Sequence, residues 1–573
     1  RTKLTDHTFM ILCALVIGVL GGLGAIGFRF LIRLFQSIFF GPGLDLLRVV
    51  WALPWYHKLL APAIGGAIVG PIIYRFAREA KGHGVPEVME SVVIRGGAIR
   101  PRVALATTLA SAMTIGSGGS VGREGPIVQI GSALGSTLGQ VLKVSGERMR
   151  TFVGCGAAAG LAATFNAPIA GALFSVEVIL GDFGLARFSP IVISSVIATV
   201  ISRHFLGDFP AFQVPPYRFV HAFELLPYLA LGAAAGLVAR LFIYLLYRCE
   251  DLFDASPLPE AIRPAIGGLL IGAIALAFPH VYGVGYETIN LSLREQAPYY
   301  LLLLLVFVKV LATSLTIGSG QSGGIFAPSL FIGAMTGGVV GTVAHRLFPA
   351  ITATSGAYAL VGMGAVVAGT THAPITAIII VFELTDSYSI ILPLMISCII
   401  ATIISTAISH ESIYTLKLLR RGLSLRAGLE ETALRTLRVR DVMSDRFQCL
   451  PQGMPLSDLI ATALRSPFSY FPLVDGQGLM TGIISHQDLR MAMMYQDEQK
   501  ASLLVAKDVA TTEGILTVLP DDDLAKVFEL SAQKRIDALP VVDPDNPRHV
   551  IGMVTHKDAL TAYNRELLRR SAG

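Results

Sequence analysis

Charged residues are scarce in this chain of 573 residues. Asp, Glu, Lys and Arg together make up 15% of it, against roughly 25% in an ordinary soluble domain. With a hydrophobic content of 53% and a mean hydropathy of +0.63, this scarcity excludes a disordered, fibrous or simple soluble protein. Most of the chain is therefore expected to lie in a lipid bilayer.

Cysteine is scarce as well. The five cysteines are scattered along the chain and form no CxxC pair, so neither a disulfide framework nor a zinc site is predicted. The sequence shows no basic face of the kind that binds nucleic acid. It also shows no nucleophile–base pair and no cluster of metal ligands, so no enzyme activity is predicted.

The charges that are present divide the chain into two parts. Residues 441–573 contain 13 basic and 18 acidic residues, whereas the 440 residues before them contain 32 basic and 22 acidic ones. The tail has the charge density of a soluble domain. The apolar run 9–27 is too long for a signal-peptide core and predicts the first membrane helix. We therefore divide the chain into a membrane domain, a basic linker and two soluble units, at residues 1–415, 416–440, 441–497 and 506–566.

A repeat relates two halves of the membrane part. Thr114–Pro126 aligns without a gap with Thr316–Pro328, and further on an Ala-Pro pair precedes Glu177 in one half and Glu383 in the other. Several apolar stretches are interrupted by Gly and Pro and are shorter than the ~20 residues that cross a bilayer. Irregular backbone at membrane depth survives only where protein buries it or where it lines a water-filled path. Paired interruptions of this kind predict a binding site at the interface of the two halves.

Three turns rich in Gly and Pro have the chemistry to bind an anion: Gly82–Pro86, Gly122–Pro126 and Gly324–Pro328. Each leads into a predicted helix, whose first amides are unpaired and whose dipole adds about half a positive charge. Together they can hold a partly dehydrated halide without a full positive charge, which would bind the ion too tightly for release. Taken singly, each is more simply explained as a packing turn.

These three motifs in this order, together with Tyr414, resemble the CLC family of chloride channels and proton-coupled chloride exchangers. The resemblance implies an α-helical membrane protein, built as an inverted repeat of many tilted and broken helices. It further implies a voltage-gated homodimer in the lipid bilayer with cytoplasmic termini, chloride or a similar small anion as ligand, and no required cofactor. The basic linker after the last membrane helix agrees with a cytoplasmic tail at the inner cell membrane.

The resemblance also implies roles for individual residues. Glu124, an ionisable residue in an apolar segment, corresponds to the gating glutamate of the family. The alternative is a salt bridge to Arg123, which is disfavoured because adjacent residues at a helix start point in different directions. Tyr414 corresponds to a residue that coordinates the central anion, although a tyrosine near a membrane interface is commonly only an anchor. The predicted anion-binding residues are His83, Gly84, Arg123, Gly125, Ile325, Phe326 and Tyr414.

Two positions depart from the family pattern. His83 stands where chloride-type members carry Ser; its ring either donates to the anion or points away from it, and anion selectivity is open accordingly. Val178 stands where exchangers usually carry a second Glu that relays protons. Glu177, one position earlier, faces elsewhere on a helix, and its counterpart Glu383 suggests a structural role for both. Lys309, the other buried charge, is expected either to snorkel or to add positive potential, and we leave it out of the site.

Val178 favours a passive chloride channel, and a proton-coupled exchanger is the alternative. A third, remote hypothesis is a divalent-cation transporter with CBS domains. Magnesium requires clustered carboxylates, however, and the apolar segments contain only isolated acids.

The tail contains a second repeat, in which Gly482–Asp488 matches Gly552–Asp558. Short β-rich runs alternate with amphipathic stretches, so each unit is predicted to be α/β. The pair resembles a tandem of CBS domains, which implies a binding site for an adenine nucleotide. The candidate ligands are Ser485 with Asp488 and Thr555 with Asp558. The alternative is that these residues only cap helices.

Overall fold

The computed structural model describes residues 6–43, 46–76, 82–208, 212, 214–215, 217, 220–385, 388–423, 434, 437–493, 504–534 and 536–572. The chain forms two compact units, Arg1–Arg421 and Gly422–Gly573. Arg426 and Arg435 of the predicted basic linker lie outside the described residues.

The first unit is helical. In chain order its first half contains α1 (Asp6–Phe40), α2 (Leu46–Ala52), α3 (Trp55–Phe76), α4 (Val85–Ile94), α5 (Pro101–Gly116), α6 (Glu124–Val141), α7 (Gly146–Phe165), α8 (Pro168–Phe174), a π-helix (Ser175–Leu180) and α9 (Leu185–Leu206). The second half contains α10 (Leu225–Asp254), α11 (Arg263–Ala277), α12 (Tyr286–Leu293), α13 (Tyr299–Gly318), α14 (Phe326–Leu347), α15 (Ser355–Thr371), α16 (Pro374–Thr385), α17 (Ile391–Ile408) and α18 (Thr415–Arg420).

The helices vary widely in length. Within the described residues, seven are long and apolar enough to cross a membrane. α7 ends before Asn166, which adopts a left-handed conformation (φ 60°) just before the Ala-Pro pair. α15 ends in the same way before His372 (φ 55°) in the second half. The protein is therefore an integral membrane protein of long and broken helices, as predicted.

The two halves pack through contacts that occur in equivalent pairs. A Cβ atom on Gly66 of α3 would lie 2.1 Å from the carbonyl oxygen of Pro264 of α11, and one on Gly268 would lie 2.1 Å from that of Pro62. Glycine is required at both positions because the two helix backbones touch there. The two contacts are equivalent, because Gly66 and Pro62 correspond to Gly268 and Pro264 at the same sequence offset that aligns Thr114–Pro126 with Thr316–Pro328. The repeat predicted from sequence is confirmed.

The second unit is an α/β module. It contains the strands β1 (Leu450–Pro451), β2 (Tyr470–Val474), β3 (Met480–Ser485), β4 (Ala538–Asp543) and β5 (Asn546–Thr555), and the helices α19 (Leu456–Arg465), α20 (His486–Met493), α21 (Ala506–Val509), α22 (Leu524–Lys534) and α23 (His556–Ala572). β1 pairs parallel to β2, whereas β2–β3 and β4–β5 are antiparallel hairpins. Apolar residues of each repeat form a separate core, one around Phe471 and one around Val541. The predicted α/β character is confirmed.

Candidate functional site

The three Gly- and Pro-rich turns come together at the interface of the two halves. Gly122 and Gly324 exchange two backbone hydrogen bonds of 2.7 Å, and the Gly323 amide donates to the Gly82 carbonyl at 3.1 Å. The helices α4, α6 and α14 begin within these three segments, at Val85, Glu124 and Phe326. Backbone hydrogen bonds thus hold three helix N-termini, each with unpaired amides, around one place in the protein.

Glycine at two positions in these turns makes the close approach possible. Gly84, the residue before α4, has a φ of 77°, in the left-handed region that favours glycine. A Cβ atom on Gly125 would lie 2.0 Å from the carbonyl oxygen of His83. The starts of α4 and α6 are therefore in backbone contact, which a side chain at Gly125 would prevent.

Glu124 is the first residue of α6, and its side chain is buried. One carboxylate oxygen, Oε2, accepts a hydrogen bond from the Ala327 amide at 3.3 Å, in the first turn of α14. The Tyr286 hydroxyl lies 3.5 Å from Oε1. The neighbouring Arg123 donates to the carbonyl of Thr164 at 3.3 Å and stacks over the Tyr286 ring. The carboxylate of one half is thus held at the helix N-terminus of the other.

His83 and Tyr414 lie side by side on the same cluster of turns. Their ring centroids are 5.8 Å apart, and both residues are buried. Within the described residues, neither ring nitrogen of His83 has a hydrogen-bond partner. Tyr414 directly precedes α18 and is 2% exposed, so it is not an aromatic anchor at the membrane interface.

Ile325 and Phe326 belong to the α14 turn and contribute an apolar wall. Both are buried, and the Phe326 ring packs edge-on against Phe174 and tilted against Phe165, at centroid distances of 6.4 and 5.8 Å. The phenyl ring is therefore fixed by aromatic neighbours on both sides of the Asn166 break.

The two glutamates of the second repeat motif cap each other's helices. Glu177 accepts hydrogen bonds from the amides of Ile375 and Thr376 at the start of α16, at 3.2 and 2.7 Å. Glu383 accepts from the amides of Ile169 and Ala170 at the start of α8, at 3.0 and 2.7 Å. The structural role expected for this pair is confirmed. Val178 lies beside Glu177 in the π-helix and is buried.

Lys309 is fully buried and does not snorkel, which corrects one of the two expectations for it. Its ammonium donates to the carbonyls of Val281 and Gly283, both at 3.0 Å, and lies over the Phe331 ring. These contacts satisfy the charge locally at the loop before α12.

Tyr286 is a neighbour of Glu124 that no sequence motif indicates. Tyr286 begins α12 after Gly285, which has a φ of 86°. A Gly before a helix is a weak signal of a helix start, and nothing in the sequence connects this start with Glu124. Only the tertiary fold brings the two side chains together.

In the second unit, the predicted Ser/Thr–Asp pairs do cap helices. The hydroxyls of Ser485 and Thr555 donate to Asp488 and Asp558 at 2.8 and 2.6 Å. The Asp488 and Asp558 amides donate back to these hydroxyls at 3.3 and 3.0 Å. Each CBS-like repeat thus has the same pair of reciprocal hydrogen bonds, which caps α20 in the first repeat and α23 in the second.

Only one of the two pairs lines the large cavity of this unit. Thr555 and Asp558 belong to the wall of a cavity of about 520 Å³, whereas Ser485 and Asp488 lie outside that wall. Aromatic and basic side chains complete the wall, among them Phe447, Phe468, Tyr470, Arg446 and Lys557. Burial raises the pKa of the Tyr470 phenol.

Comparison with known proteins gives the same picture. The family model for the voltage gated chloride channel matches residues 65–406, and the model for the CBS domain matches residues 439–495 and 506–565. A ClcB-like chloride channel protein of Ralstonia nicotianae is 39% identical over 415 residues, which cover 72% of this chain and 97% of that relative.

Two further similarities are to exchangers. The H(+)/Cl(−) exchange transporter ClcA of Citrobacter koseri is 33% identical over 426 residues, covering 72% of this chain and 88% of the relative. The crystal structure of a slow cyanobacterial Cl−/H+ antiporter is 28% identical with a TM-score of 0.66, covering 73% of this chain and 99% of the other. The broken-helix fold, the converging turns and these matches agree. The chain belongs to the voltage gated chloride channel (CLC) family, carries two CBS domains, and is a chloride transport protein rather than an enzyme.

Proposed function

We propose that the protein is a passive chloride channel gated by Glu124. The observation that carries this proposal is the Glu124 carboxylate at the first turn of α14, 3.3 Å from the Ala327 amide. Amides at a helix N-terminus bind anions, so the carboxylate and a chloride ion compete for the same donors. Protonation removes the charge of Glu124, which frees the donors for the ion.

The anion itself is proposed to bind on the cluster of turns described above. Tyr414 supplies a hydroxyl and His83 a ring nitrogen, and both side chains are buried next to each other. The remaining ligands are backbone groups or neighbours of the three turns: Gly84, Arg123, Gly125, Ile325 and Phe326. The guanidinium of Arg123 is engaged with the Thr164 carbonyl, so its backbone amide is the proposed donor, and neutral donors bind a halide without holding it too tightly for conduction.

Val178 supports the channel mode. It places an apolar side chain where exchangers of the family usually carry a proton-relaying carboxylate, and Glu177 is already engaged in capping α16. The relative with 39% identity is named as a chloride channel protein. The second candidate is a proton-coupled exchanger, which the similarity to an exchange transporter and to an antiporter structure favours.

An opposing pH gradient distinguishes the two modes. For a passive channel in a planar bilayer, we expect the reversal potential to stay at the chloride equilibrium value when a gradient of two pH units is imposed. In an exchanger the proton gradient contributes to the driving force, so the reversal potential shifts with it. A shift that follows the pH gradient would contradict the channel proposal and establish the exchanger.

The protein is further proposed to act as a homodimer in the inner cell membrane, with the CBS domains in the cytoplasm. Basic residues that follow the last membrane helix support this orientation, since positive charge is retained on the cytoplasmic side. Three of them lie within the described chain at α18 and its end: Lys417, Arg420 and Arg421.

We also propose that the CBS domains bind an adenine nucleotide in the 520 Å³ cavity. Asp558 is placed to accept hydrogen bonds from ribose hydroxyls, as carboxylates do in other nucleotide sites. The aromatic side chains offer stacking for the base, and Arg446 and Lys557 offer charge for phosphate.

Equivalent substitutions in the two CBS domains test this proposal. In Asp558→Asn we expect the affinity of the full chain for ATP or AMP to fall at least about tenfold, because a charge-assisted hydrogen bond is lost. Asp488→Asn removes the same cap outside the cavity and serves as the matched control, with unchanged affinity. Calorimetric titration measures both. Equal losses in the two variants, or no nucleotide heat in the wild type, would contradict the proposed site.

A further inference from the structure

The two oxygens of the Glu124 carboxylate lie in different surroundings. Oε2 lies against the backbone of the turns, since a Cβ atom on Gly122 would overlap it and one on Gly324 would lie 3.0 Å away. This oxygen accepts the hydrogen bond from the Ala327 amide. Oε1 faces the Tyr286 hydroxyl at 3.5 Å, and in the described part of the chain this hydroxyl is the only side-chain donor to the carboxylate. The carboxylate is thus held between α14 and α12 of the second half.

The neighbours of Tyr286 fix its ring in this place. Tyr286 is the first residue of α12 and is partly buried. Its ring meets Phe212 edge-on at a centroid distance of 5.1 Å. The Arg123 guanidinium lies 5.4 Å from the centroid of the Tyr286 ring and is anchored there by its hydrogen bond to the Thr164 carbonyl. These contacts set the direction of the hydroxyl, which is toward Glu124.

A phenolic hydroxyl that faces a carboxylate favours the charged form of that carboxylate. The hydroxyl donates to an ionised oxygen, and a hydrogen bond to the charged form of an acid makes this form harder to protonate. The separation of 3.5 Å between Tyr286 and Glu124 exceeds the length of a close O–H···O bond, about 2.5–3.0 Å, so the contact is weak. A weak contact allows the carboxylate to leave once it is protonated.

We propose that Tyr286 is a positioning residue for the gate, whose hydroxyl favours the charged Glu124 carboxylate at the start of α14 and thereby sets the pH at which the gate opens. This inference rests on the proposed gating by Glu124 and deepens it. Other charged or titratable groups act on the carboxylate or on the hydroxyl, namely Arg123 of α6, Lys309 of α13 with Glu287 of α12 beside it, Tyr414 before α18 and Arg29 of α1. Removal of the Tyr286 hydroxyl leaves all of these groups in place.

Anion flux from proteoliposomes over a series of pH values tests the role of the hydroxyl. In Tyr286→Phe, which keeps the ring and its neighbours, the charged carboxylate loses a donor and is protonated more easily. We therefore expect the pH of half-maximal flux to rise by about half a pH unit, with an unchanged maximum in acid. Tyr282→Phe is the matched control. Its hydroxyl donates to the Lys58 carbonyl and not to Glu124, so its pH profile should equal that of the wild type.

A double variant separates a positioning residue from one that only packs. The charged form does not exist in Glu124→Gln, so adding Tyr286→Phe should leave the flux at the level of Glu124→Gln alone. The inference is overturned by a Tyr286→Phe profile that coincides with the wild type, or by a change in the double variant as large as in the single one. A wild-type flux that does not vary with pH contradicts gating by Glu124 itself, independently of Tyr286.

Discussion

Replacing Glu124 by Gln makes anion flux independent of pH. Glutamine has nearly the shape of glutamate but carries no charge and does not titrate, so it cannot compete with chloride at the start of α14. In the wild type, a single titrating carboxylate changes the conducting population by at most roughly tenfold per pH unit. In Glu124→Gln we expect a constant flux, at the level that the wild type reaches only in acid. Flux from proteoliposomes across a series of pH values measures this.

Glu147 provides a matched control for this experiment. It lies at the start of α7, and its side chain is 75% exposed. Glu147→Gln should therefore keep the wild-type pH profile. If Glu124→Gln also kept that profile, the gating role of Glu124 would be refuted and the pH response would have to come from another group.

Truncating Glu177 or Glu383 should lower the free energy of unfolding by a similar amount, because each carboxylate caps a helix in the other half of the membrane unit. Glu177→Ala leaves the amides of Ile375 and Thr376 without their acceptor, and Glu383→Ala does the same to Ile169 and Ala170. Loss of charge-assisted bonds at a helix N-terminus costs about 2 kcal/mol. We expect each variant to unfold at a clearly lower temperature in detergent, and the double variant at a lower one still.

Two control variants distinguish the loss of the Glu177 and Glu383 hydrogen bonds from an unspecific loss of stability. Glu147→Ala truncates an exposed glutamate and should change stability by less than about 0.5 kcal/mol. Glu177→Gln keeps one acceptor oxygen and should recover part of the loss. A Glu177→Ala variant as stable as the wild type would mean that water replaces the carboxylate at no cost.

Local signals in the sequence were enough to predict the helix starts of the site. Gly-rich turns followed by Pro mark the positions where α4, α6 and α14 begin, because these residues have specific backbone requirements. In the second unit, the amphipathic stretches between β-rich runs predicted the α/β character for a similar reason, since periodicity is a local property. The left-handed conformation of Asn166 after α7 could not be predicted, because many asparagines do not adopt it.

Contacts between distant residues could not be predicted in the same way. The carboxylate of Glu177 was expected to be structural, but its partners in α16 lie about 200 positions away and no sequence spacing points to them. Tyr286 approaches the site only through the packing of α12 on other helices.

The mutual hydrogen bonds of Gly122 and Gly324 join a residue to its own repeat. Two separate copies of one half would form the same two bonds across a twofold axis. The two halves of this chain therefore pack at this point as the two subunits of a symmetric dimer would. A group that lies on such an axis meets each repeated position twice. Glu124 and Phe326 occupy one such position, which is acidic in one half and aromatic in the other. Equivalent positions of the two halves thus carry a carboxylate in one and an aromatic ring in the other, beside the same pair of backbone hydrogen bonds.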